Sequence, residues 1–92
     1  MYDILPYTQR KARELGVSVK PSKNPKYKID VYDLKGNYLF SGGASGYKDY
    51  PHYIKEKGLD YANERRRLYR IRHQKDIKVV GGRGSIINHL LW

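Results

Sequence analysis

The stretch "KYKIDVYDLKGNYLF", Lys26 to Phe40, decides the fold. Tyr27, Ile29 and Val31 alternate with Lys28, Asp30 and Tyr32, the period-two pattern of a half-buried strand. "DLKGN", Asp33 to Asn37, then supplies turn residues, with Gly36 able to take a positive φ. Tyr38, Leu39 and Phe40 return as a second strand. The segment predicts a β-hairpin.

Working outward towards the N-terminus, "VSVKPSKNPK", Val17 to Lys26, carries Pro21 and Pro25 among Ser, Asn and the lysines 20, 23 and 26. It reads as an extended polar connector. Its lysines either keep it solvated or lie along a phosphate backbone. Before it, Pro6 to Leu15 reads as a short helix, with Pro at its start and Gly16 as its stop.

Towards the C-terminus, "SGGASGYKDYP" holds Gly42, Gly43 and Gly46. Neither a P-loop order nor G-x-G-x-x-G is present, so these glycines are expected to turn the chain out of the sheet rather than to cradle a phosphate. Pro51 suits the first turn of a helix running towards Lys57, with Asp49 upstream and Gly58 as its stop. Asp60 is placed to cap a longer helix from Tyr61 to about Gln74. "DIKVVGGRGS" reads as a loop or short strand, and Ser85 as the cap of a last helix in "IINHLLW". So apolar an end must dock on its own domain or against another copy.

Ninety-two residues suit a single small domain. Its expected class is α+β: a β-hairpin or small antiparallel sheet packed by two or three helices. The chain divides into an N-terminal helix and polar linker, residues 1–25, and a basic α+β region, residues 26–92. Hydrophobic content is 39%, but ten of those residues are tyrosines, which predicts a thin, amphipathic core that a second subunit can thicken. A homodimer is therefore expected. With no cysteine, disulfides, thiolate metal sites and cysteine nucleophiles are excluded. No apolar run reaches the ~18–20 residues of a membrane span, and "MYDILPYTQR" lacks the pattern of a signal peptide.

Lys and Arg number 19 against 9 Asp and Glu, a net charge of +10. At that density self-repulsion favours a polyanionic partner, nucleic acid first. The charge concentrates in "NERRRLYRIRHQK", Asn63 to Lys75. On a helix, Tyr61, Leu68 and Ile71 share one side, with Ala62 and Tyr69 flanking them, and that side is expected to pack on the hairpin. Arg66, Arg70 and His73 line another face, expected to be outward, with Arg67 beside them. Like charges at Arg66 and Arg70, four apart, cost a few tenths of a kcal/mol, and an anionic partner reverses that cost through counterion release. Arginine also favours bidentate phosphate contact. The competing reading is a solvated face, with the stems of Arg65 and Arg72 packed on tyrosine rings.

The histidines, 52, 73 and 89, form no H-x-x-x-H or H-E-x-x-H, and no carboxylate pair has metal-like spacing. Glu64 with Arg66 or Arg67 imitates the composition of a small nuclease, yet nothing fixes a nucleophile or activates a water. No catalytic residue, metal or cofactor is assigned.

"KYKIDVYDLKG", the glycine-rich "GASGYKDY", "ERRRLYRIRH" and a chain end in "LLW" occur in that order. Over roughly Lys26 to Trp92 this series resembles an uncharacterised family of short basic proteins of large double-stranded DNA viruses of eukaryotes. Ser41-Gly42-Gly43 departs from it, since an aromatic before the glycine is more usual there. The resemblance implies a viral protein, carried in the particle and made in amoebal or algal cells, in the cytoplasmic factory or the nucleus. It implies no activity.

The combined expectation is a non-catalytic, virion-associated protein that binds DNA through its backbone with little sequence preference and takes no small-molecule substrate. Arg65, Arg66, Arg67, Arg70, Arg72, His73 and Lys75 are the candidate contacts, and Lys20, Lys23 and Lys26 a second track. Asn63 and Gln74 are the few amides available for base reading. The alternative is a minor capsid or cement protein whose basic surface meets acidic capsid or membrane faces.

Overall fold

A computed structural model describes residues 2–92; Met1, the first residue of the N-terminal segment, lies outside them. The class is α+β, with a three-stranded antiparallel sheet and five helices among the described residues. Two compact units divide the chain between Tyr47 and Lys48.

The first unit begins with α1 (Pro6–Leu15), opened by Pro6 and closed by Gly16 as its sequence predicts. Its buried positions, Thr8 and Ala12, are four apart and so share one face of the helix. Three strands follow in the order β1 (Val17–Pro21), β2 (Tyr27–Asp33), β3 (Tyr38–Ala44). The predicted turn between β2 and β3 is present. Asp33 accepts the backbone N–H groups of Lys35 and Asn37 at 2.9 Å each, and Gly36 sits at φ 88°. The hydrogen bonds from Asn37, backbone then side chain, hold the Asp33 carboxyl below its ordinary pKa.

Two readings of this region need correction. The "connector" is not a linker throughout: Val17 to Pro21 is a full edge strand, with Val19 opposite Val31 and Pro21 opposite Ile29. Proline is tolerated because an edge strand leaves one row of N–H groups unpaired. Nor do Gly42 and Gly43 carry the chain out of the sheet. β3 continues through them to Ala44, with Gly42 opposite Ile29 and Ala44 opposite Tyr27. The third glycine does make the expected exit: the turn comes at Ser45–Gly46, with Gly46 at φ 88°.

The half-buried pattern of β2 also understates its burial. Ile29 and Val31 are fully buried, but so, nearly, are Lys28 and Asp30 between them. Asp30 is matched by three donors: Ser22 Oγ and Ser41 Oγ, each at 2.6 Å, and the Lys23 backbone N–H at 3.3 Å. A buried carboxylate needs such partners. Burial alone raises its pKa, but the hydrogen bonds from Ser22, Ser41 and Lys23 outweigh that and lower it.

The second unit is helical: α2 (Tyr50–Lys57), α3 (Leu59–Arg72), α4 (Gln74–Ile77) and α5 (Arg83–Leu91). Asp49 caps α2, accepting His52 N–H at 3.3 Å and facing His52 Nδ1 at 2.8 Å. Gly58, at φ 91°, breaks the helix between α2 and α3 in a single residue, a conformation that disfavours any side chain. Two helix starts differ from expectation. α3 opens at Leu59, with Asp60 in its first turn rather than as its cap. α5 opens at Arg83, so Ser85 lies inside it and Gly82 takes the cap position. The earlier start of α5 seats Gly84 against α4, where an added Cβ would lie 2.5 Å from Asp76 Cβ.

The apolar chain end is docked within its own unit. Leu90 and Leu91 are fully buried and Trp92 nearly so. The Trp92 ring stacks on Tyr69 at 4.2 Å and an 8° interplanar angle.

Candidate nucleic-acid interface

The faces of α3 are not the ones its periodicity suggests. Tyr61, Leu68 and Ile71 are exposed, at 45%, 36% and 53% respectively, so they are not an inward stripe. The inward positions are Ala62, Arg66, Tyr69 and His73, spaced four, three and four apart, a single helical face. Ala62 is fully buried and the other three are half-buried. Arg66, predicted to point outward, has its guanidinium carbon 3.5 Å from the centroid of the Tyr50 ring. His73, also predicted outward, stacks on Tyr69 at 4.3 Å. Burial raises the Tyr69 hydroxyl's pKa, with Asp76 adding to it. The helix is held by rings and a cation over a ring rather than by Leu and Ile.

That choice frees the rest of the helix for solvent. Asn63, Arg67, Arg70 and Gln74, at spacings of four, three and four, form the neighbouring outward stripe. Together with Arg66 and Ile71 they line an open depression of about 470 Å³. Three of its polar side chains are oriented by neighbours. Asn63 Oδ1 accepts the Tyr50 hydroxyl at 2.8 Å. Arg67 donates twice to Glu64, at 2.6 and 3.1 Å, and that pairing lowers the Glu64 pKa and raises that of Arg67. Arg70 reaches Asn88 Oδ1 and the Trp92 carbonyl, both at 3.4 Å.

On the other side of Ile71, Arg65 and Arg72 line a smaller depression of about 190 Å³ with Leu68 and Ile71. The Arg65 guanidinium lies 5.5 Å from the Tyr53 ring, as the tyrosine-packing reading expects. Lys75 is exposed on α4.

The predicted contacts therefore divide. Arg66, Arg67 and Arg70 share one depression, and Arg65 and Arg72 share another. Lys20, Lys23 and Lys26 belong to the first unit, on β1 and the turn after it. Tyr50, Asn88 and Trp92 were not marked by the sequence. They carry no charge, and their role of orienting arginines comes from tertiary contact alone.

Among the described residues no group of three or more His, Asp or Glu is placed to hold a metal ion, and no helix is long and apolar enough to cross a membrane. No family model, curated protein or solved structure matches the chain.

Proposed function

We propose that this is a non-catalytic basic protein whose α3 binds the phosphate backbone of duplex DNA. The observation that carries the reading is the depression in which Arg66, Arg67 and Arg70 converge, Arg67 held by an exposed pair and Arg70 by two long 3.4 Å contacts that a phosphate can replace. The Arg67–Glu64 pair is solvent-exposed, and such pairs contribute little to stability. Exchanging it for a phosphate contact that releases a counterion is favourable. The second unit as a whole carries eleven Lys and Arg against five Asp and Glu, so the field around α3 attracts polyanions. The setting in a virus particle, with a second copy of the chain as partner, rests on the sequence resemblance and the tyrosine-rich composition.

The test is a double change of sign, Arg67→Glu with Arg70→Glu. Both side chains are exposed, whereas Arg66 packs on Tyr50 and its replacement would disturb the fold. Affinity for random-sequence duplex DNA should fall at least tenfold at moderate salt, and the salt slope should become shallower by about 2, one phosphate per arginine. Unchanged affinity would remove α3 as the site and point to acidic capsid or membrane surfaces.

A further inference from the structure

The sheet of the first unit has two unlike faces. One carries the apolar side chains of Val19, Ile29 and Val31. The other carries Lys20, Asp30 and Ser41 in register across three strands, and beside them Tyr32 opposite Tyr38. A register shift between Val31 and Tyr32 leaves Leu39 as an extra residue of β3, and bulges of this kind re-aim side chains. Here the two tyrosine rings meet edge to face at 5.9 Å and 74°. Tyr38 is 58% exposed, while its hydroxyl is fixed 2.7 Å from Ser41 Oγ, itself bonded to Asp30. The ring is thus open to solvent yet held from rotating freely.

Cations border it. Lys20 Nζ lies 5.4 Å from the Tyr32 ring centroid. The bonds from Ser22 and Lys23 to Asp30 draw the β1–β2 turn, with exposed Lys23, towards the same face.

We propose that the open part of this face, around Tyr38 and Lys20 and beside the buried Asp30 and Ser41, binds single-stranded nucleic acid, with an unpaired base stacked on Tyr38 and the adjoining phosphates met by Lys20 and Lys23. An exposed ring held on a rigid sheet, next to cations that track a backbone, is what sequence-tolerant stacking requires. A duplex cannot use it, because paired bases do not offer their faces. The site is independent of the α3 reading, since it lies wholly in the other unit and takes a different form of nucleic acid.

The experiment titrates a short labelled oligothymidylate, which has no structure of its own, against the full chain. Tyr38→Ala should weaken binding about tenfold, the order of one lost base stack, while Tyr38→Phe, which keeps the ring but not the hydroxyl that steadies it, should lose clearly less. Lys20→Ala, at an exposed side chain, should make the salt slope shallower by about 0.7. Backbone amide shifts on titration should cluster in β1 and β3. The inference is overturned if the parent does not bind the oligonucleotide. It is equally overturned if Tyr38→Ala binds as the parent does, if Tyr38→Phe loses as much as Tyr38→Ala, or if only Arg67→Glu/Arg70→Glu abolishes binding.

Discussion

The first unit and the second carry comparable positive charge but place it differently. In the sheet unit, eight Lys and Arg face four carboxylates, and the carboxylates do the structural work. Asp30 gathers β1, β2 and β3 through two serines and a backbone N–H, and Asp33 forms the hairpin turn. In the helical unit cations themselves pack, Arg66 on Tyr50 and Arg65 on Tyr53. A helix with so few buried aliphatics stays in place because aromatic rings accept both apolar and cationic neighbours. The lesson is that an arginine-rich helix is not simply a solvated helix. Some of its arginines hold it to the unit and the rest are presented outward.

The largest test of this comparison lies in the ring stack. Trp92→Ala removes a nearly buried indole from Tyr69 and should destabilise the protein by about 3–5 kcal/mol in denaturant unfolding, the range for large aromatic truncations. A loss under ~1 kcal/mol would show that the stack is not what anchors α3.

A smaller effect separates the two candidate inward faces. Arg66→Ala should cost about 1–2 kcal/mol, through its desolvated cation–π contact and packed stem. Ile71→Gln, at an exposed position, should stay within about 0.5 kcal/mol of the parent. If the order were reversed, the helix would be turned the other way, with Tyr61, Leu68 and Ile71 inward as their spacing suggests.

The smallest effect belongs to the sheet unit and to acid. The folded-state pKa of Asp30 lies below its ordinary value, so the stability it contributes is present at neutral pH and is lost as pH falls below ~4 through the folded value. Melting followed from pH 6 down to 2 should show this loss. Asp30→Asn should be less stable at neutral pH and should lose less on acidification. A variant whose acid profile matched the parent's would show that Asp30 is not the group concerned.

These contrasts also explain what the sequence made legible. α1, the β2–β3 hairpin and α2 follow from residues that act locally: Pro6 and Gly16, "DLKGN", and Asp49 with Pro51 and Gly58. β1 was hidden because a short run with one buried valine and a proline becomes a strand only by pairing with β2. β3 was shortened at Ser41 for a related reason, since Gly42 is kept in the sheet by its neighbour rather than by its own propensity. In α3 the spacing of Leu68 and Ile71 outvoted a face made of Ala62, Arg66, Tyr69 and His73. Periodicity counts aliphatic residues and cannot see that Tyr50 and Trp92 supply rings for the other side. The basic character of α3 was legible; which arginines are free to meet a partner was not.

The proposed function requires α3 to present a dedicated phosphate-binding surface. Its most direct test is the affinity of the intact protein for a random-sequence DNA duplex, titrated over roughly 50 to 300 mM salt. A log–log slope of about −4 is predicted, the signature of several phosphates neutralised together. A flat slope, or no binding at the lowest salt, would contradict it.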